Sequence, residues 1–151
     1  MHIWGIIATM VILADQATKY LIENTFSSTD CITFIPGVID FVFVKNTGAA
    51  FSMLNRHTWI LALISVIFSI GIAVYLLKTQ PVDILINVCG GLILGGAIGN
   101  GIDRILRAYV VDFIEFTFFN FPVFNIADIA ITVGGALAVI AVMRKDKNQE
   151  V

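Results

Sequence analysis

Four stretches of this chain are long and apolar enough to cross a bilayer, and that leaves few folds open. A helix needs about 20 consecutive apolar residues to span the hydrocarbon core. Runs near that length lie at about 3–22, 58–77, 82–102 and 123–142. Lipid offers no water to unpaired backbone groups, so such runs fold as helices. Hydrophobic residues make up 58% of the 151 and charged residues only 13%, too little charge for a soluble surface. The expected architecture is one integral membrane domain (1–151), an all-α bundle of four transmembrane helices.

Composition also narrows the function. A net charge of -2 and no long basic block argue against a nucleic-acid partner. Cys31 sits in a polar loop and Cys89 deep in an apolar run, so a disulfide between them is not expected. His2 and His57 are far apart and give no zinc spacing. The N-terminal run lacks a basic start and a clear small-x-small cleavage site, and reads as a retained span.

The segments between spans carry their own signals. Within 23–57, Cys31–Ile35 and Val38–Val44 are rich in Ile, Val, Phe and Thr and flank Pro36-Gly37, which reads as strand–turn–strand. Asn46-Thr47-Gly48 is a second turn, and the short apolar Ala49–Leu54 suits an interfacial helix. This region is either a hairpin covering the bundle or a cradle on the bilayer beside a substrate's path. In the third run Gly91, Gly95 and Gly99 recur every four residues, a flat ridge for close approach of another helix. Ala130, Gly134 and Ala138 repeat that spacing in the fourth run, so spans 3 and 4 are expected to pack through these faces.

Against this background the polar residues stand out. A carboxylate inside hydrocarbon costs roughly 2.5–3.5 kcal/mol on insertion scales, so intramembrane carboxylates are functional candidates. Asp15 and Lys19, one helical turn apart, form either a packing ion pair or a support for a site. Asn100, Asp103, Arg104, Asp112, Glu115, Asn125 and Asp128 cluster at or near the ends of spans 3 and 4. Two carboxylates close enough to share a proton and hold a water make an aspartyl hydrolase, because like charges at that range cannot both ionise easily. Asp112 and Asp128 are the candidate pair. Taken singly, Asp128 is equally a helix cap and Asp112 a loop carboxylate facing Arg104 or Arg107. No Ser or Cys lies near a His with an orienting acid, as covalent catalysis would want.

Five short motifs appear in order: Asp15-Gln16-x-x-Lys19, Asn46-Thr47-Gly48-Ala49-Ala50-Phe51-Ser52, Gly99-Asn100-x-x-Asp103-Arg104, Val110-Val111-Asp112-Phe113 and Phe124-Asn125-x-Ala127-Asp128-x-Ala130. With four spans, this closely resembles the lipoprotein signal peptidase (signal peptidase II) family of bacterial membrane aspartyl proteases, over nearly the whole chain. The resemblance implies a four-helix membrane bundle with a small extracytoplasmic β-cradle and an interfacial helix. It implies Asp112 and Asp128 as catalytic residues, Asn46, Asn100, Arg104 and Asn125 as residues lining the site or binding substrate backbone, and Asp15 and Lys19 as supports. The implied reaction cuts a prolipoprotein before its diacylglyceryl-modified cysteine, with no metal or cofactor.

The chain departs from the family's usual pattern at Ala108, where Gly is frequent, at Glu115, where Asp is common, and at Phe121, where Trp often precedes the proline. The stretch between the two aspartates is also short. Basic residues are nearly balanced between the two sides, and the tail Arg144-Lys145-Asp146-Lys147 favours cytosolic termini, with the segments 23–57 and 103–122 outside. The expected setting is the bacterial cytoplasmic (inner) membrane, with a monomer meeting membrane lipids and a lipid-modified prolipoprotein. The alternative is a small four-span transporter in which Asp15 and Asp128 relay protons or bind a cation.

Overall fold

A computed structural model describes residues 2–48 and 57–147, the side chains of 145–147 excepted. Its helices are α1 (Ile3–Thr25), α2 (Thr58–Thr79), α3 (Ile84–Arg107) and α4 (Ile126–Lys147); its strands are β1 (Cys31–Ile35), β2 (Ile39–Asn46) and β3 (Val110–Phe116). All four helices are long and apolar enough to cross a membrane. The expected interfacial helix Ala49–Leu54 lies outside the described residues.

Helix α3 is the centre of the bundle. Its most apolar window is 61% buried, against 17–22% in the others, whose outer faces are left to lipid. Glycine makes that centrality possible, one side at a time. A Cβ on Gly91 or Gly95 would strike the backbone of α1, 2.7 Å from the Trp4 carbonyl oxygen and 2.8 Å from that of Ala8. A Cβ on Gly96 would strike the Ala127 carbonyl oxygen of α4. The four-residue ridge of α3 therefore receives α1, and α4 packs on the neighbouring Gly96; Gly134 of α4 meets Cys89 of α3 in return.

The strands make one antiparallel sheet in the order β1-β2-β3. The Pro36-Gly37 turn is as expected, with Gly37 at φ 72, where a side chain would be strained. The third strand was hidden in the sequence: 103–122 reads as an outer loop, yet it holds the last turns of α3 and then β3. Charged residues suggested that span 3 stops at 102, but α3 continues to Arg107. Asp103 is neutralised by Lys19, and cations in a last turn suit the helix dipole. Ala108 ends the helix in the left-handed region at φ 62, which turns the chain into β3. Below the sheet, Val111, Phe113 and Ile114 pack with Ile22 of α1, so the sheet is seated on the bundle's end.

Helix α4 also begins later than its expected start at 123, and the reason is a reciprocal cap. The Asp128 N–H donates to Asn125 Oδ1 at 3.0 Å, and the Asn125 N–H donates to Asp128 Oδ2 at 3.2 Å. This is a capping box, which satisfies two otherwise unpaired helix-start donors. Asp128 consequently sits in the first turn rather than a turn and a half in.

Candidate active site

Strand β3 carries Asp112 and the first turn of α4 carries Asp128, and both line one cavity of about 420 Å³ with Asn46, Asn100 and Arg104. Three asparagines hold the two carboxylates. Asn46 is aimed by its own turn: its Oδ1 accepts the Gly48 N–H at 2.9 Å, which leaves Nδ2 to donate to Asp112 Oδ2 at 2.8 Å. Asn125 Nδ2 donates to Asp112 Oδ1 at 2.6 Å and Asn100 Nδ2 to Asp128 Oδ1 at 2.7 Å. Asn125 thus serves both acids, one through its side chain and the other through its backbone.

A buried ion network sits behind the asparagines. Lys19 is fully buried, 2.8 Å from Asp15 and 2.9 Å from Asp103. Its Nζ also donates to Asn100 Oδ1 at 2.9 Å, which turns the Asn100 amide group toward Asp128. Asp103 in turn accepts the Val111 N–H at 3.3 Å, just before Asp112, and bonds Arg107, which reaches Glu23 at 3.1 Å. The Asp15–Lys19 pair thus joins α1 to α3 through Asp103 and contacts Asn100, which in turn bonds Asp128.

Asp112 is pushed up to about 7, first by burial and second by the charge of Asp128. The amide donors of Asn46 and Asn125, and the more distant Lys19 charge, oppose the shift. A carboxyl that keeps its proton near neutrality beside a second carboxylate can donate that proton while its neighbour accepts one.

Arg104 points into the same cavity from α3. Among the described residues its Nη1 makes only a long 3.4 Å bond to Ser65 and its Nε has no partner. Such a guanidinium is free to take a carbonyl or carboxylate from a bound molecule. Neither Arg104 nor Arg107 pairs with Asp112 among the described residues; the latter is engaged by Asp103 and Glu23. Apart from Thr132 the rest of the wall is apolar, with Phe116, Phe121, Pro122 and Phe124 at one side and Ile129, Ile131 and Val133 along α4.

All eight expected site residues converge here, six on the cavity and its asparagine frame and two behind it. Sequence reasoning undervalued Asp103, named in a motif but given no role. Its spacing of four from Arg107 was the available signal. The link of Tyr109 OH to Glu23, which ties the end of α1 to the start of β3, left no signature. Cys31 is exposed in β1 and Cys89 buried in α3, both free as expected. Among the described residues no cluster of His, Cys, Asp and Glu could hold a metal ion.

Known proteins agree with this architecture. A sequence profile of signal peptidase (SPase) II matches residues 7–144. The chain belongs to the signal peptidase II family. It is 39% identical to the lipoprotein signal peptidase of Anoxybacillus flavithermus, over 98% of this chain and 89% of that one. It is 40% identical to the lipoprotein signal peptidase of Shouchella clausii, over 96% and 95% of the two chains. A bacterial membrane enzyme solved in meso at 2.3 Å superposes with a TM-score of 0.89 at 34% identity, over 95% of this chain and 88% of that one. A second, solved at 1.9 Å, gives 0.83 at 35% identity over 91% and 90%. The membership makes this chain a membrane protease of lipoprotein processing, and the transporter alternative gains no support from any of these relatives.

Proposed function

We propose that this signal peptidase II works as an aspartic endopeptidase with Asp112 and Asp128 as its catalytic pair. The observation that carries the reading is the convergence of the two carboxylates on one cavity through Asn46, Asn100 and Asn125. A water between the acids loses a proton to one carboxylate and attacks the scissile carbonyl carbon, while the protonated partner gives its proton to the carbonyl oxygen. Asp112, which holds a proton near neutrality, is the donor in this scheme. The tetrahedral intermediate then collapses, the C–N bond breaks, and the leaving amine takes a proton from the pair. Arg104 binds a substrate backbone carbonyl beside the cut.

The substrate is a lipid-modified prolipoprotein, cut before its lipidated cysteine. The apolar wall of Phe121, Phe124, Ile129 and Val133 suits a substrate that arrives sideways from the bilayer. The enzyme sits as a monomer in the bacterial cytoplasmic membrane, termini in the cytosol, with the sheet and the pair at the outer face. No cofactor takes part.

The test is gel-resolved cleavage of a diacylglyceryl-modified prolipoprotein by purified protein. Asp112→Asn and Asp128→Asn should each lose all detectable turnover, since acid–base catalysis alone is worth ~10²–10⁴-fold. Glu115→Gln is the control: its side chain is opposite Asp40 on the sheet and not on the cavity, so activity should survive. Near-normal turnover in either Asn variant would overturn the pair.

A further inference from the structure

Between β3 and α4 the chain makes a finger with no charge on it. From Phe116 to Phe124 the sequence is Phe-Thr-Phe-Phe-Asn-Phe-Pro-Val-Phe. Its base is closed by Ile114 and Phe124, which exchange backbone hydrogen bonds at 2.9 and 3.0 Å, so the residues between them project as a unit. Within it the five phenylalanines pack on one another: Phe116 lies 5.3 Å from Phe119, 5.5 Å from Phe118 and 5.1 Å from Phe124, ring centre to ring centre. Yet packing does not hide the tip, since Phe118 is 62% exposed, Phe119 45% and Phe121 43%.

The neighbouring turn adds to the same edge. Thr117 N–H donates to the Val38 carbonyl at 3.1 Å, which fastens the finger to the β1–β2 turn, and there Phe34, Ile35 and Val38 are exposed as well. On the other side the finger runs directly into α4, whose Ile129 and Val133 are part of the bundle's exposed apolar surface. The uncharged edge is therefore continuous with the surface that the spans present to lipid. In water this edge would be a large exposed apolar patch beside an uncovered strand, a liability that proteins blunt with charge. Charge stops at Glu115, which lines the base of the finger's outer cleft; none occurs between Phe116 and Phe124.

We propose that the Phe118–Phe121 tip is a membrane anchor, inserted among the acyl chains just below the headgroups of the leaflet beside the catalytic cavity. Aromatic and aliphatic side chains without charge sit at that depth, where interfacial segments bury their apolar face. Phe116 and Phe121 line the cavity with the two acids as well as the finger's own outer cleft. Insertion of the tip therefore puts the cavity mouth at the level of the acyl chains, and a lipid-bearing substrate moves from bilayer to cavity along phenylalanine without crossing water. The anchoring itself rests only on the four spans; its consequence for substrate rests on the proposed protease reading.

The experiment separates the two. In a Trp4→Phe, Trp59→Phe background, Phe118→Trp and Phe119→Trp report the tip's surroundings by fluorescence. The proteins are reconstituted in vesicles of phosphatidylglycerol and phosphatidylcholine, with the latter brominated near the top of its acyl chains in a parallel sample. The expected result is blue-shifted emission, quenched severalfold more by bromolipid than by aqueous acrylamide. Red-shifted emission quenched mainly by acrylamide would place the tip in water and overturn the proposal. Emission shielded from both quenchers would mean a protein contact, such as a second copy, and would also overturn it. Should the tryptophan variants misfold, a nitroxide on Asn120→Cys, with Cys31→Ser and Cys89→Ala, reads the same depth by oxygen against aqueous-nickel accessibility. These readouts need no turnover, so they stand whether or not Asp112 and Asp128 are the catalytic pair.

Discussion

Asp15 of α1 accepts the backbone N–H of Ala127 at 3.0 Å, and Ala127 is the residue before Asp128. A buried carboxylate from the first helix thus holds the start of the fourth, while its other oxygen holds Lys19. The geometry of the acid pair is set by helix packing, and the packing is made specific by buried charge. Asp15→Ala should therefore do two kinds of damage. It leaves Lys19 with Asp103 as its one carboxylate partner, beside the Asn100 amide oxygen, and frees a buried N–H; breaking a buried pair in this way costs roughly 3–5 kcal/mol. Thermal unfolding in detergent should show the loss, and any folded fraction should cleave poorly.

The contact of α3 with α4 yields a sharper test, because it lies under Asp128. Gly96 has no room for a Cβ against the Ala127 carbonyl, a backbone atom that cannot rotate away. Gly96→Ala should push the start of α4 outward and reduce cleavage, while the four spans still insert. Gly101→Ala is the comparison, since its Cβ would meet only the Ser65 side chain at 3.3 Å. Near-wild-type turnover in Gly96→Ala would show that α4 can move without disturbing the pair.

Much of this was legible in the sequence, for definable reasons. Long apolar runs leave only helices in lipid, so the spans were readable to within a few residues at most ends. Turn chemistry at Pro36-Gly37 fixed the hairpin. What stayed hidden depends on partners distant in the chain. Val110–Phe116 reads as an apolar loop until β2 is placed beside it, with Asp112 opposite Val44. Asp103 reads as a helix end because a charge in a span is costly, and the arrival of Lys19 from α1, added to Arg107 one turn on, offsets that cost. Asp128 as helix cap and Asp128 as site residue looked like rivals; the capping box uses Oδ2 and Asn100 holds Oδ1, so one carboxylate does both.

Ala108 offers a stabilising substitution. It occupies the left-handed region at φ 62 with a side chain, where an L-residue is disfavoured by roughly 1–2 kcal/mol. Ala108→Gly removes that strain at the cost of a more flexible unfolded chain. The expected net gain is on the order of 1 kcal/mol or less, seen as a higher unfolding temperature with cleavage unchanged. A lower temperature would mean that the Ala108 methyl contributes packing that outweighs its strain.

The last prediction turns on the proton that Asp112 keeps. Its carboxyl is raised from 3.8 to about 7 in the folded protein, so between those values the folded state holds a proton that the unfolded state has lost. Stability contributed by the neutral group is complete below 3.8 and is lost as pH rises through about 7. Asp112→Asn cannot ionise, and its unfolding temperature should gain on wild type across that interval and hold a constant lead above it. Activity follows the same proton in the opposite experiment. Cleavage by wild type should fall on the alkaline side of about 7 as the donor is deprotonated. Asn46 Nδ2 favours the ionised form by its 2.8 Å bond, so Asn46→Ala should carry that alkaline limb to higher pH while lowering the maximum rate. A limb that moves to lower pH, or does not move, would show that Asp112 is not the group whose proton is used.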